Sequence, residues 1–144
     1  MFRKKKIIEM RTVLFVDDDE AILRSLERGL LDELYNQLFA KSGEEALEIL
    51  KREEVHVIVT DMLMPGMDGV ELLKNVREMY PHIIMIILSG YAKEAALQTT
   101  VEQGGIFKLV PKPWKLRGNF EKLIRRAVAQ YNLQNERETV RQKN

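Results

Sequence analysis

The run Val57-Ile58-Val59-Thr60-Asp61, followed by Met62-Leu63-Met64-Pro65-Gly66-Met67-Asp68-Gly69, limits the folds open to this chain more than any other stretch. Four residues suited to a buried strand lead straight into a carboxylate, and Pro65-Gly66 then imposes a turn. Asp61 is therefore expected at the C-terminal end of a strand, where the loops leaving an open parallel sheet form a crevice for ligands. Taken alone, the same aspartate could equally cap the turn or the helix expected from about Met67.

Three further runs end in the same manner. Thr12 to Val16 leads into Asp17-Asp18-Asp19, Ile83 to Leu88 into Ser89-Gly90, and Phe107 to Val110 into Pro111-Lys112-Pro113. A parallel sheet would gather these ends on one edge, bringing together carboxylates, a hydroxyl and an ammonium from four strands. Between the runs lie helical patterns. Ile22, Leu26 and Leu30 recur at helical spacing to about Leu34 after an Asp18 or Asp19 cap. Asn36 to Ala40 is a short strand, and Ser42-Gly43-Glu44-Glu45 opens a second helix with capping-box spacing, its buried face formed by Ala46, Leu47, Ile49 and Leu50. The third helix, Met67 to Tyr80, has Val70, Leu73 and Val76 as its inward stripe, with Leu72 flanking it, and Pro81 ends it. A weakly amphipathic fourth covers Ala92 to Gln103, and the last runs from Leu116 to about Leu133 with Phe120, Leu123, Ile124, Ala127, Val128 and Tyr131 inward.

Five alternations of strand and helix specify an α/β fold: a doubly wound, five-stranded parallel sheet with helices on both faces. The strand order expected is 2-1-3-4-5. Strands 1 and 3 are then neighbours, and Asp17, Asp18 and Asp61 meet where the order reverses.

At 144 residues and 45% hydrophobic content the chain fits one domain with a full core. Met1 to Met10 is a basic leader, Arg11 to Leu133 the folded domain, and Gln134 to Asn144 a polar tail or an extension of the last helix. The leader is no signal peptide, because Glu9 interrupts Ile7-Ile8 before an apolar stretch of about 7 to 15 residues can form. No run approaches the roughly 18 apolar residues of a membrane span. The formal net charge of +1 argues against nucleic-acid or membrane binding through overall charge, and the absence of cysteine removes disulfides and thiolate metal sites. These features suit a cytoplasmic protein. His56 and His82, at strand entrances, read as surface residues, and Met62, Met64 and Met67 as packing around a turn.

Two unit charges 4 Å apart repel by about 4 kcal/mol at an effective dielectric near 20, so a trio of carboxylates calls for a proton or a cation. Oxygen donors without thiolates favour Mg²⁺ over zinc. Lys112 and Ser89 would complement a phosphoryl anion at the same place.

Val16-Asp17-Asp18-Asp19-Glu20, Thr60-Asp61 through Gly69, Ser89-Gly90 and Lys112-Pro113, in this order and spacing, resemble the receiver domain of two-component response regulators over about Arg11 to Leu133. The resemblance implies a flavodoxin-like receiver fold in which Asp61 accepts a phosphoryl group from a sensor histidine kinase or phosphotransfer protein, assisted by Ser89 and Lys112. It implies Mg²⁺ held by Asp18, Asp61 and the Leu63 backbone carbonyl, with Asp17 acting through water. Self-phosphorylation and autodephosphorylation would be the only catalysis, and the face made by the Ala92 to Gln103 helix, the fifth strand and the last helix would meet an output domain, a target protein or a second copy. Relatives commonly carry a switching aromatic three residues before the lysine, where this chain has Leu109; the Ser89 loop with Tyr91 is expected to carry the shift instead. The Lys112-Pro113 bond is expected to be cis, and Trp114 hints at relatives joined to an enzymatic output domain. A Mg²⁺-dependent phosphatase of the haloacid dehalogenase kind would place a second acid two residues after its nucleophile, where this chain has Leu63. A degenerate receiver would bind partners without phosphorylation.

Overall fold

The computed structural model describes residues 10–89, 106–111 and 120–143, with the main chain alone at Ser89, 106–111 and 137–143. Strands β1 (Thr12–Val16), β2 (Asn36–Ala40), β3 (Val57–Asp61), β4 (Ile84–Ser89) and β5 (Ile106–Pro111) alternate with helices α1 (Glu20–Gly29), α2 (Gly43–Arg52) and α3 (Gly69–Met79), and α4 (Glu121–Lys143) closes the chain. All strand pairs are parallel, in the order β2-β1-β3-β4-β5. Gly90, Tyr91, the Ala92 to Gln103 stretch, Lys112, Pro113, Trp114 and the leader to Glu9 lie outside the described residues.

Alternation along the strands builds two cores. Leu14, Val16, Ile58, Met85 and Ile87 face Ala46, Ile49 and Leu50 of α2 and Leu72, Leu73 and Val76 of α3. Val13, Phe15, Val57, Val59, Ile86 and Leu88 face Leu23 and Leu26 of α1 and Leu123, Ile124 and Ala127 of α4. Every residue of β1 is buried, which explains why that strand shows no polar alternation. The central strands are thus clamped from both sides, and their C-terminal ends have little freedom to move.

Three local expectations need correction. Helix α1 stops at Gly29, with the Leu30 N–H still bonded to the Leu26 carbonyl, and Leu34 lies on the connecting turn, 80% exposed. Helix α3 begins two residues later than Met67, capped by Asp68, whose side chain accepts the Glu71 N–H at 2.8 Å. On this helix Leu72 is fully buried beside Leu73 and Val76, and Val70 is only partly buried. His56 is no surface residue: it is 4% exposed, and its Nδ1 accepts the Thr12 N–H at 2.9 Å, completing the ladder where β1 begins. Beyond Leu133 the last helix runs on to Lys143, one of the two courses expected for that stretch.

The far edge of the sheet ties α4 down. Arg125 donates twice to Glu33, at 2.9 and 2.6 Å, and this hydrogen bonding raises its pKa further. Arg11 donates to Asn132 at 2.6 Å and stacks over the Tyr131 ring, against which His56 also packs. Nearby, burial pushes the Tyr35 hydroxyl above the usual tyrosine pKa.

The orientation of α3 is open to a direct check. Leu72→Ala should cost about 2 to 5 kcal/mol in urea unfolding, because it empties a fully buried position, whereas Val70→Ala should cost about 1 kcal/mol or less. Equal losses would mean that the helix presents the face centred on Val70.

Candidate functional site

The register of β1 against β3 pairs Val16 with Thr60, so the next residues, Asp17 and Asp61, emerge side by side at the switch point of the sheet. On the other side Asp61 pairs with Leu88 of β4, and Ser89 follows, paired with Pro111 of β5. The main chain therefore lines up the ends of β1, β3, β4 and β5 along one edge. Lys112 is the residue after Pro111 and lies outside the described residues, as does anything concerning the Ser89 side chain.

Local hydrogen bonds set each acid. The Asp17 N–H donates to the Ala40 carbonyl at 3.1 Å, extending the β1–β2 ladder by one residue. Asp17, 3% exposed, accepts the Asp19 N–H at 2.9 Å, and Asp19 in turn caps α1 by accepting the Ala21 N–H at 2.9 Å. Two of the three consecutive aspartates are thereby engaged with the main chain, and Asp18, between them, is exposed. Asp61 is half-buried. Its Oδ1 accepts the Met62 N–H at 3.0 Å, while its main-chain carbonyl accepts the Thr60 hydroxyl at 2.9 Å. Asp61 does not cap α3; Asp68 does.

One oxygen each from Asp17, Asp18 and Asp61 fall within 4.8 Å of one another. Opposite ligands on Mg²⁺ stand roughly 4.2 Å apart, from bonds of about 2.1 Å. The trio is therefore almost at the span of a single small ion, and its donors are hard oxygens of the kind that such an ion takes. The donor set fits Mg²⁺.

Gly69 is a site residue that the sequence pattern did not single out. A Cβ there would lie 2.5 Å from the Asp61 carbonyl oxygen and 3.0 Å from Met62 Cα, and the Gly69 N–H donates to the Met62 carbonyl at 2.8 Å. The start of α3 is pressed against the end of β3, and only glycine permits it. Its signal was a glycine directly after a cap, where backbones approach closely. Leu63 sits in the turn between them with its side chain 58% exposed, and Met62 and Met64 are buried, in accord with their reading as packing.

The family model for the response regulator receiver domain matches residues 13–125. The chain belongs to that family. Among relatives of this receiver, the hydrogenase transcriptional regulatory protein HoxA of Cupriavidus necator is 40% identical over 123 residues, covering 85% of this chain and 25% of that protein. The receiver thus spans about a quarter of that relative's length. Two solved structures share its fold closely: adenylate cyclase from Rhodopirellula baltica, with a TM-score of 0.87, 29% identity and coverage of 94% of this chain and all of that one, and the beryllofluoride-activated NtrC4 receiver domain dimer, with a TM-score of 0.75, 31% identity and coverage of 85% and 99%. Receivers are signalling domains that bind Mg²⁺ at an acidic pocket and switch on phosphorylation of an aspartate. Among the described residues no helix is long and apolar enough to cross a membrane.

Three carboxylates this close repel one another when no cation is bound. Asp18→Asn removes one charge at an exposed position, and in EDTA it should raise stability by roughly 1 kcal/mol, the scale of such a pair in a water-like dielectric. Urea unfolding at low and high salt measures it, with the gain shrinking as salt screens the charges. A loss of stability in EDTA would show that the Asp18 charge is stabilising on balance.

Proposed function

We propose that Asp61 accepts the phosphoryl group in this receiver, taking it from a phosphohistidine of a sensor histidine kinase or phosphotransfer protein. The observation that carries this reading is the convergence of Asp17, Asp18 and Asp61, from two strands distant in sequence, within 4.8 Å at one sheet edge. Of the three, only Asp61 is itself a strand residue, the last of β3, paired there with Leu88 of β4. An Asp61 oxygen forms a bond to phosphorus as the bond from phosphorus to imidazole nitrogen breaks, and the imidazole leaves with the electron pair and is protonated. The product is an acyl phosphate.

Asp18, Asp61 and the Leu63 carbonyl would hold Mg²⁺, with Asp17 acting through water. When bound, the ion would neutralise charge that builds on the phosphoryl oxygens. Asp17 is suited to an indirect role because it is buried and already accepts the Asp19 N–H. Ser89 and Lys112, from the ends of β4 and β5, would supply a hydrogen bond and a positive charge to the same anion. Self-phosphorylation and autodephosphorylation are the whole of the catalysis. Leu109, where relatives carry an aromatic, leaves the Ser89 loop to transmit the change. The readers of that change would be an output domain or target protein, or a second copy of the receiver, at the face that includes β5 and α4. Direct contact with nucleic acid or membrane forms no part of this reading, and a kinase of this class would meet the receiver in the cytoplasm.

Incubation with acetyl phosphate and Mg²⁺ should add one phosphoryl group by mass spectrometry, with none added to Asp61→Asn or in EDTA. Undiminished labelling of Asp61→Asn would refute the assignment.

A further inference from the structure

Helix α2 contributes none of the acids, yet its first turn touches the segment that follows Asp61. That segment is a loop with a closed base. The Gly69 N–H donates to the Met62 carbonyl at 2.8 Å, and Gly69 itself lies against Asp61. Leu63 to Met67 span the gap between these fixed ends, with Gly66 in the left-handed region at φ 75°. What holds the span from outside is the start of α2. A Cβ on Gly43 would lie 2.9 Å from both Cγ and Sδ of Met67 and 3.0 Å from its Cβ, and the Glu44 carboxylate comes within 3.0 Å of where a Cβ on Gly66 would be.

The atoms nearest Gly43 include the root of the Met67 side chain, so swinging its terminal methyl aside would not make room for an added carbon. The main chain of the turn would have to yield. The start of α2 cannot yield easily instead. Ser42 caps it by accepting the Glu45 N–H at 3.0 Å, and the Glu45 carboxylate reaches back to the Lys41 N–H at 2.6 Å, one residue before the cap. The strand leading into this helix also supplies the Ala40 carbonyl that takes the Asp17 N–H. One connection, Ala40 to Glu45, therefore abuts both acid-bearing segments.

We infer that Gly43 is a positioning residue for the acidic site, setting through Met67 where the turn from Leu63 to Met67 lies relative to Asp17, Asp18 and Asp61. The inference rests on the Mg²⁺ reading above, in which the Leu63 carbonyl is a ligand. An added methyl at Gly43 would move that carbonyl while leaving all three carboxylates in the sequence. Alanine at position 67 would remove Cγ and Sδ, the two atoms at 2.9 Å, and leave only the contact with Cβ at 3.0 Å.

The test compares the parent with Gly43→Ala, Met67→Ala and the double variant by backbone amide NMR, first without metal and then through a Mg²⁺ titration, alongside thermal unfolding. In Gly43→Ala the amides of Leu63, Met64 and Met67 should shift without metal, and Mg²⁺ affinity should fall about ten-fold, the scale of losing support around a metal ligand. Met67→Ala should also weaken Mg²⁺, by removing the prop, and the double variant should bind better than either single one. A purely structural role would lower the unfolding temperature and leave Mg²⁺ affinity alone, and that result overturns the inference. So does a double variant no better than Gly43→Ala. If Gly43→Ala does not fold, Met67→Ala decides, and parental affinity there overturns the proposal. A parent that ignores Mg²⁺ sinks the metal reading together with this one, whereas a parent that binds while the variants match it sinks this one alone.

Discussion

The pairing of β1 with β3 obliges two carboxylates to emerge next to each other, and the rest of the fold holds them there against their repulsion. That repulsion is about 1 kcal/mol for exposed charges and about 4 kcal/mol at an effective dielectric near 20. Against it stands the burial of the two strands themselves. Val13, Leu14, Phe15, Val57 and Ile58 are each fully enclosed, and burial of one such side chain stabilises by about 1.5 to 3 kcal/mol. The apolar pairing wins by a wide margin, so the acids remain at the edge as a preformed demand for positive charge. A ligand that meets the demand needs to bring no large rearrangement with it.

The two-sided core is what makes the demand specific. Helices α2 and α3 seal one face of the sheet and α1 and α4 the other, so a residue just past a strand end inherits the position of a clamped strand. Hydrogen bonds then sort three consecutive aspartates into different tasks. Asp17 turns inward beneath the Asp19 N–H, Asp19 caps α1, and Asp18 is left facing solvent within reach of Asp61. The same economy appears after β3, where Asp68 caps α3 and leaves Asp61 uncommitted to any helix.

Much of this was legible in the sequence because two periodicities carry it. Apolar runs without alternation announced strands covered on both faces, and a polar residue at the end of each run announced the edge. Asp17, Asp18 and Asp61 could be named on that basis, as could the Ser42 cap. The misreadings have tertiary causes. Leu34 continues the spacing of α1 yet falls beyond its end, since spacing alone does not stop a helix. Leu72 and Val70 exchanged roles because they lie on either side of the Leu73 and Val76 stripe, and packing against the sheet, not spacing, decides which of the two is covered. His56 was assigned to the surface from its place at a strand entrance, but a polar side chain can be buried once its nitrogen accepts a main-chain N–H. The fit of Met67 over Gly43 joins elements that no local pattern relates.

The central claim is that one cation site forms where β1 and β3 end. Substoichiometric Mn²⁺, a paramagnetic substitute that suits the same oxygen donors, tests it by broadening nearby amide NMR signals. The account predicts loss of the Asp17, Asp18, Asp61 and Leu63 signals, recovery of all four on adding excess Mg²⁺, and sharp signals throughout from Tyr35 and Tyr131 at the opposite edge. Broadening spread over other acidic surfaces, or sharp signals at Asp18 and Asp61, would contradict it.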